Sequence, residues 1–206
     1  FPSEKTIFTG NPRSSEAITA KKIKKYEIGL TENKKFVLIV MGSLGSMTIN
    51  KELERIASSF KNKDYEVMIV TGKKYFDSFK DVKIKNVKIV PFLNNMLNVL
   101  KVCDLIVTRA GASTIAEITA LGIPSILVPS PYVANNHQLY NAMELVDNKA
   151  SELILESDFN ATNLITKIDN LLNNPKVLKE MHLNAIKLSN PQASELIYKE
   201  LKKLVE

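Results

Sequence analysis

The chain has 206 residues, enough for one large α/β domain or two small ones, and its hydrophobic content of 45% is sufficient for a packed core. A single cysteine, Cys103, excludes a disulfide framework and a cysteine-based metal cluster, and its apolar neighbours predict a buried thiol rather than a reactive one. The net charge of +6 is compatible with nucleic acid, an anionic membrane surface or a phosphate-bearing substrate, but the Lys-rich patches lack interleaved aromatic residues, which favours solvated faces and no nucleic-acid partner.

The amino-terminal residues read as extended chain rather than as the start of a domain. There is no initiator methionine, and residues 6–9 run into Gly10-Asn11-Pro12-Arg13. These features predict that the chain is part of a longer protein. Composition then predicts a helix from Ser15 to Tyr26, followed by a polar loop. No apolar run reaches the roughly 18–20 residues that span a bilayer.

Six continuous apolar runs alternate with helical patterns through the middle of the chain. Continuous rather than alternating apolar runs are typical of parallel strands that are buried on both faces. The predicted strands are Phe36–Met41, Glu66–Thr71, Val87–Pro91, Leu105–Thr108, Ser125–Val128 and Ser151–Leu155.

Helical patterns fill the intervals between these runs. Apolar residues recur on one face of a helix at Ile49–Phe60, and shorter helices are predicted at Met96–Val102 and Asn136–Asp147. After residue 160 the chain is predicted to be helical, with new helices beginning at Pro175 and Pro191. Six β/α units with right-handed crossovers predict an α/β fold: a Rossmann-like, doubly wound parallel sheet with a helical carboxyl-terminal tail.

The first candidate ligand site is the turn after the first strand, Met41-Gly42-Ser43-Leu44-Gly45-Ser46. Small residues at Gly42 and Ser43 would let the backbone approach a diphosphate, whose charge a helix N-terminus stabilises. The turn matches neither the GxGxxG pattern nor a Walker loop. A phosphate cradle and a simple tight turn are therefore both open interpretations.

The second candidate follows the fourth strand. Gly111 lets the chain turn, while Ser113 and Thr114 can cap a helix and offer hydroxyls to a ligand. Glu117 stands three residues after Thr114, so the pair also matches a capping box. The functional interpretation gives Glu117 the two hydroxyls of a ribose, since a carboxylate there would repel phosphate. Local sequence leaves both interpretations open.

A polar cluster, Asn135-Asn136-His137-Gln138, follows the fifth strand. Its donors and acceptors suit the hydroxyls of a sugar. His137 could act as a base, but Asn136 before a helical pattern equally predicts an N-cap beside a surface histidine. The other histidine, His182, lies far along the chain, so no metal site is predicted.

The fourth candidate is Pro91-Phe92-Leu93, at the end of the third strand. Exposed main chain at a strand end can pair with the edge of a nucleobase. The alternative, an apolar anchor for the loop, holds unless other residues indicate a nucleotide.

Taken together, these segments resemble the carboxyl-terminal half of the MurG family of peptidoglycan N-acetylglucosaminyltransferases, in glycosyltransferase family 28. The resemblance runs from Gly10-Asn11-Pro12-Arg13 to the terminal helices. Its most specific part is Arg109-Ala110-Gly111-Ala112-Ser113-Thr114 with Glu117, followed by Pro129, Asn136-His137-Gln138 and Asn141-Ala142. Met41 and Ser46 depart from the family's usual glycine and alanine, and Met41 adds bulk near the predicted diphosphate loop.

The resemblance implies one half of a GT-B glycosyltransferase, the half that holds the donor UDP-N-acetylglucosamine. Residues 1–14 would be an inter-domain linker, 15–190 the nucleotide-sugar-binding Rossmann-like domain, and 191–206 a helix that packs on the amino-terminal domain. The implied contacts are Arg13, Leu93 and Phe92 for uracil, Glu117 for ribose, Gly42, Ser43 and Gly111-Ala112-Ser113-Thr114 for the diphosphate, and Gln138 with His137 for the sugar.

The implied reaction transfers N-acetylglucosamine, with inversion, to the C4 hydroxyl of the muramyl sugar on the undecaprenyl-linked acceptor lipid I, giving lipid II for peptidoglycan. No cofactor and no metal ion are implied. The general base, the acceptor site and the membrane surface are expected in the amino-terminal domain, so no catalytic residue is expected in this chain. The chain alone is expected to be soluble and inactive, whereas the whole enzyme would act at the cytoplasmic side of the bacterial plasma membrane.

Two alternative functions stay open on the sequence. One is another GT-B enzyme with a different UDP-sugar or acceptor. The other is a non-catalytic nucleotide-sugar-binding subunit that needs a partner chain.

Overall fold

The computed structural model of the chain describes residues 2–41 and 47–205, without the side chains of Met47 and Thr48. The strands in this part of the chain are β1 (Phe36–Val40), β2 (Glu66–Val70), β3 (Val87–Val90), β4 (Leu105–Thr108), β5 (Ser125–Leu127) and β6 (Ser151–Leu153). They form one sheet in the order β3-β2-β1-β4-β5-β6, and all neighbours are parallel. The predicted doubly wound, Rossmann-like sheet is confirmed.

Helices connect the strands and cover the sheet. The α-helices are α1 (Arg13–Thr19), α2 (Met47–Ile56), α3 (Met96–Leu100), α4 (Ala112–Leu121), α5 (His137–Asp147), α6 (Ala161–Leu172), α7 (Pro175–Lys187) and α8 (Ala193–Lys203). Short 3-10 helices include Lys25–Ile28, Ala57–Phe60, Lys73–Phe79 and Glu156–Asp158.

Both faces of the sheet are buried. Because successive residues of a strand point to opposite sides, each strand contributes side chains to two cores. In β1, Val37 and Ile39 face a core that includes residues of α2 and α6. Phe36, Leu38 and Val40 face a second core with residues of α3, α4 and α5. The strands are therefore apolar on both sides, which explains why they read as continuous rather than alternating runs.

The strands begin where the sequence predicts them, and most end one or two residues earlier. The final ladder pairs of β1 are Val40 with Val70 and Val40 with Thr108. Ladder pairing of β1 therefore stops at these residues, and the apolar residues Met41, Val128 and Ile154 that follow β1, β5 and β6 are buried in the core without belonging to a strand.

The first helix is shorter than the predicted Ser15–Tyr26. It ends at Thr19, where Nζ of Lys101 binds the carbonyl oxygen of Ile18 at 2.7 Å, and Lys25–Ile28 form a separate turn. The intervening segment carries several lysines at helical spacing, and repulsion between like charges disfavours a continuous helix there. The prediction that this helix continues from Ala20 to Tyr26 is therefore wrong.

The carboxyl-terminal helices follow the predicted breaks in part. α7 begins at Pro175, as predicted, with Asn174 as its N-cap, whereas α8 begins at Ala193, two residues after Pro191. The segment between them is tied to the amino-terminal residues, since Nδ2 of Asn190 donates to the carbonyl of Thr9 at 2.9 Å. Among the described helices, none combines the length and the apolar character needed to cross a bilayer.

Asp104 joins the starts of β1 and β4 at the amino-terminal edge of the sheet. Its carboxylate accepts hydrogen bonds from Phe36 N at 2.9 Å, Lys25 Nζ at 2.8 Å and Lys35 Nζ at 3.0 Å. Burial raises the pKa of Asp104, but the bonds from Lys25, Phe36 and Lys35 outweigh it, so that the pKa lies below its ordinary value. The ionised carboxylate therefore stabilises the folded chain.

Replacement of this carboxylate gives a test with a defined pH dependence. Asp104→Asn should lower the free energy of unfolding by about 2 kcal/mol near neutral pH, because hydrogen bonds to charged groups contribute about 1.5–3 kcal/mol. Because the folded pKa is the lower one, this stabilisation is present above the unfolded pKa of about 3.9 and is lost as the pH falls through the folded value.

Urea unfolding of both proteins at about pH 7 and about pH 2.5 measures this difference. Asp64→Asn, at an exposed position, is the matched control. A difference between Asp104→Asn and the parent that does not shrink at the lower pH would contradict the assignment.

Candidate functional site

Several strand ends meet at the carboxyl-terminal edge of the sheet and surround a cavity of about 210 Å³. The cavity lies beside the β1–β4 pair, where the strand order reverses, and ligands bind at this position in open α/β sheets. Its wall is largely apolar, with polar groups from β4 and α4. The lining residues are Val40, Val70, Gly72, Pro91, Phe92, Leu93, Met96, Leu100, Ile106, Thr108, Thr114 and Glu117.

The helix beside the cavity, α4, begins at Ala112, and its N-cap is Gly111. Thr114 is thus the third residue of the helix and not its cap, so Thr114 and Glu117 do not form a capping box. That alternative is wrong. Both side chains instead line the cavity.

Gly111 leaves open space at the N-terminus of α4. Its φ of −72° is accessible to any residue, and a Cβ added there would meet no atom within 4 Å. Neither backbone conformation nor protein packing therefore requires a glycine at this position. The space lies where the first N–H groups of a helix are unpaired, which is a favourable environment for an anion.

Glu117 forms an ion pair with Arg13 at the rim of the cavity. Nε of Arg13 donates to Oε1 of Glu117 at 2.7 Å, and Nη2 lies 2.5 Å from the same oxygen, while Nη1 contacts Glu16. The Glu117 side chain is 11% exposed, so the carboxylate is largely shielded from water. The hydrogen bond to Glu117 raises the pKa of Arg13 above its ordinary value, although burial opposes this.

The position of Arg13 is set by contacts from both ends of the chain. The Arg13 N–H donates to Oδ1 of Asn11 at 3.0 Å, and the Ser14 hydroxyl donates to the carbonyl of Asn190 at 2.5 Å. The Ser15 hydroxyl donates to the carbonyl of Pro191 at 2.7 Å. These bonds tie α1 to the segment before α8, and α1 also packs against α4, which brings Arg13 to Glu117.

Phe92 and Leu93, the residues proposed from the sequence for a nucleobase contact, line the same cavity. Phe92 is 47% exposed, and Nζ of Lys73 lies 5.9 Å from the centre of its ring. This distance allows a cation–π interaction, so the Lys73 ammonium group lies over one face of the partly exposed Phe92 ring.

The predicted sugar-binding cluster lies apart from the cavity lining. Oε1 of Gln138 accepts a hydrogen bond from Ser130 N at 3.0 Å, which ties α5 to the loop after β5. His137 is exposed, and its Nδ1 lies 2.9 Å from the carbonyl of Ala134. Asn136 is the N-cap of α5, with a left-handed backbone and no side-chain capping hydrogen bond, so the interpretation of an N-cap beside a surface histidine is confirmed.

The structure thus brings together only some of the predicted residues. Phe92, Leu93, Thr114 and Glu117 share one cavity, and Arg13 joins them through Glu117. Gly111-Ala112-Ser113 form the adjoining helix terminus, with Ala112 lining a neighbouring groove. His137 and Gln138 do not line the cavity, and Gly42 and Ser43 lie outside the described residues.

Other residues of the site were not predicted. Gly72 and Met96 line the cavity, and Nδ2 of Asn141 donates to the carbonyl of Ala110 at 3.0 Å, joining α5 to the turn before α4. No local pattern distinguishes Gly72 or Met96, because they reach the cavity through the strand order. Asn141 had a sequence signal, since it belongs to the segment on which the family resemblance rests.

The described side chains also bear on metal binding and on thiol reactivity. No group of three or more His, Cys, Asp or Glu in this part of the chain is arranged to hold a metal ion. The Cys103 thiol donates to the carbonyl of Leu105 at 3.0 Å, and burial raises its pKa to about 12. The thiol is therefore protonated at neutral pH and unreactive.

Residues 36–197 match the family model described as the glycosyltransferase family 28 C-terminal domain. The chain belongs to this family. The resemblance to glycosyltransferase family 28 inferred from the sequence is therefore confirmed. The match includes the cavity, the turn before α4 and the loop after β5.

Relatives of this family 28 domain carry a common name. The UDP-N-acetylglucosamine–N-acetylmuramyl-(pentapeptide) pyrophosphoryl-undecaprenol N-acetylglucosamine transferase of Bacillus licheniformis is 45% identical over 99% of this chain and 57% of its own length. The transferase 1 of the same name from Bacillus cereus is 46% identical over 100% of this chain and 58% of its own length. The chain thus spans little more than half the length of the curated relatives it matches.

A solved structure shares the fold. The crystal structure of Acinetobacter baumannii MurG superposes with a TM-score of 0.75 over 98% of this chain and 57% of that chain, at 24% sequence identity. This likeness places the described sheet within the architecture of GT-B halves.

The cap assignment for α4 predicts how the helix responds to truncation of its threonine. Thr114→Ala should change the free energy of unfolding by less than about 0.5 kcal/mol, because Thr114 is not the N-cap and alanine is a good helix former. Asn160→Ala is the matched comparison, since Oδ1 of Asn160 caps α6 by accepting from Asn163 N at 3.0 Å.

Loss of the Asn160 cap should cost about 1 kcal/mol in a urea unfolding experiment. If Thr114→Ala is as destabilising as Asn160→Ala, Thr114 contributes a cap and the assignment of Gly111 is incorrect.

Proposed function

We propose that this chain is the donor-binding half of an inverting glycosyltransferase. The donor is UDP-N-acetylglucosamine, and the acceptor is undecaprenyl-pyrophosphoryl-N-acetylmuramyl-pentapeptide, lipid I. The names of relatives at 45% and 46% identity support both assignments. The observation that carries the proposal is a carboxylate, Glu117, at the rim of an apolar cavity that also contains Phe92 and Leu93.

This combination suits a nucleoside. The apolar wall beside Phe92 accommodates a flat base, and the backbone of Leu93 offers hydrogen-bonding groups at a strand end. A carboxylate accepts several hydrogen bonds at once, so Glu117 can receive the two ribose hydroxyls while Arg13 remains bound to it. The uracil contact predicted for Arg13 from the resemblance stays a prediction.

The diphosphate belongs at the N-terminus of α4. The open space at Gly111 adjoins the helix that lines the cavity, and the helix dipole and the N–H groups of the first helical residues, Ala112 and Ser113, favour negative charge there. We include the predicted Gly42 and Ser43 contacts in the proposal on the resemblance alone.

The reaction makes these groups useful in the transition state. The acceptor C4 hydroxyl oxygen forms a bond to the anomeric carbon, the bond from that carbon to the diphosphate breaks, and the electron pair stays on the departing UDP. Negative charge therefore grows on the diphosphate as the reaction proceeds, and oriented N–H groups at Ala112 and Ser113 stabilise it. The hydroxyl proton passes to a base outside this chain.

The rest of the proposal concerns the sugar and the remainder of the enzyme. Gln138, with His137 beside it, would bind the N-acetylglucosamine hydroxyls. An amino-terminal half would supply the acceptor site and the membrane surface, at the cytoplasmic side of the plasma membrane. Exposed apolar side chains on α8, at Tyr198 and Leu201, support the proposal that residues 191–206 pack on that half.

The ribose assignment is tested by pairing a protein change with a ligand change. Glu117→Ala should weaken UDP binding to the chain about tenfold or more, because two hydrogen bonds to a charged group are lost. With 2′-deoxy-UDP the same substitution should cost less, since one of the two partners is already absent. Isothermal titration calorimetry of the four combinations measures this coupling.

Glu54→Ala, at an exposed position on α2, is the matched control and should leave both affinities unchanged. If Glu117→Ala binds UDP as tightly as the parent, the ribose assignment is incorrect. Titration with UDP-glucose and UDP-galactose alongside UDP-N-acetylglucosamine tests the donor sugar.

Gly111→Ala tests the diphosphate assignment. Because an added Cβ meets no protein atom, the free energy of unfolding should fall by no more than about 1 kcal/mol, the difference between glycine and alanine at an N-cap. The methyl group would occupy the space proposed for the diphosphate, so UDP affinity should fall about tenfold while uridine affinity changes little. An unchanged UDP affinity in the folded variant would contradict the assignment of the diphosphate to this position.

A further inference from the structure

A buried ion pair joins the ends of three strands, and one of these strand ends leads into the loop before α5, the helix that carries Gln138. Arg109 directly follows β4, and Glu156 lies beyond β6. Nη2 of Arg109 is 2.5 Å from Oε2 of Glu156, and the two side chains are 10% and 6% exposed. Nη1 of Arg109 donates to the carbonyl of Val128, just beyond β5, at 3.0 Å.

This pair is expensive to bury. Removing two charges from water costs several kcal/mol, and apolar residues of similar size often stabilise a core equally well or better. Neither carboxylate oxygen of Glu156 receives a hydrogen bond of normal geometry from the described part of the chain, although Oε2 is in ion-pair contact. Stability alone is therefore a poor explanation for the pair, and its geometry points to a positioning role.

The pair holds the start of the loop between β5 and α5, and the residue after Arg109 holds the helix that follows the loop. At the start of the loop, Val128 is bound by Arg109. Two residues later, Ser130 N donates to Oε1 of Gln138. At the far side, Nδ2 of Asn141 donates to the carbonyl of Ala110, the residue after Arg109. The start of the loop and the first turns of α5 are thus both attached to residues 109–110.

We propose that Arg109 and Glu156 are positioning residues for the sugar part of the donor. Glu156 orients the Arg109 guanidinium, which fixes Val128 and with it the hydrogen bond from Ser130 to Gln138. That bond uses the amide oxygen of Gln138 and so sets the direction of its NH₂ group, which donates to a hexose hydroxyl. This inference rests on the proposed function, because it assigns the sugar to Gln138.

The test replaces the pair without leaving a buried charge. In Arg109→Met/Glu156→Leu the net charge beside α4 is unchanged and the chain should fold, since apolar replacement of a buried pair is often tolerated. UDP affinity should stay within about twofold of the parent. The affinity for UDP-N-acetylglucosamine divided by that for UDP should fall about fivefold, the equivalent of one hydrogen bond.

Two further variants make the result specific. Gln138→Ala should lower the same ratio, and adding it to the double variant should have no further effect, because both act through one hydrogen bond. Glu152→Gln is the matched control and should leave the ratio unchanged. Glu152 lies on β6, is half-exposed and forms an ion pair with Lys167. Glu156→Gln alone should lower both the ratio and the melting temperature, since it leaves the Arg109 charge uncompensated.

The outcomes separate the two proposals. A folded double variant that keeps the parent's ratio overturns the positioning role and leaves the proposed function intact. An additive effect of Gln138→Ala also overturns it. A parent chain that binds neither UDP nor UDP-N-acetylglucosamine overturns the proposed function, and the positioning role falls with it.

Discussion

The parallel pairing of β1 with β4 is the constraint on which the rest of the site depends. The register pairs Val40 with Thr108, so the two strands end at the same level in the middle of the sheet. The helices that come next in the chain, α2 and α4, have residues in different cores, so the strand order reverses at this pair, which is where ligands bind in open α/β sheets. The cavity, the N-terminus of α4 and the rim around Glu117 all take their positions from this pair of strands. A shift of one residue would move every side chain of a strand from one core to the other, which the packing of both cores resists.

Charge in the site is organised as two arginine–carboxylate pairs with different environments. Arg13 and Glu117 meet at the rim, where the arginine side chain is 37% exposed and can rearrange around a ligand at modest cost. Arg109 and Glu156 are both nearly buried and are therefore fixed in place. Their different exposure suits different tasks, since a rim pair can share its carboxylate with a ligand, whereas a buried pair can hold a backbone in one geometry. Both arginines neutralise carboxylates that are largely shielded from water.

Much of the fold was predictable because its signals are local. Parallel strands covered on both faces must be continuously apolar, and the six predicted strands are all present. Pro175 begins α7, because proline is well suited to the first helical position. Prediction failed at the end of α1, where Lys101 binds the carbonyl of Ile18. That contact comes from a distant segment and lies outside any window of local sequence, whereas the like charges of the lysines that follow are a local signal that the predicted helix did not take into account.

The sequence by itself determined the alternation of strands and helices, the family resemblance and the short list of segments that could bind a nucleotide sugar. It could not decide between Glu117 as part of a capping box and Glu117 as a ligand contact, because the same spacing serves both. The tertiary structure decided that Gly111 is the cap and that Arg13 meets Glu117. It also placed Arg109 on Glu156 and Ser130 on Gln138. Most of these contacts join residues far apart in the chain, and their proximity follows from strand order and register, which are properties of the whole sheet.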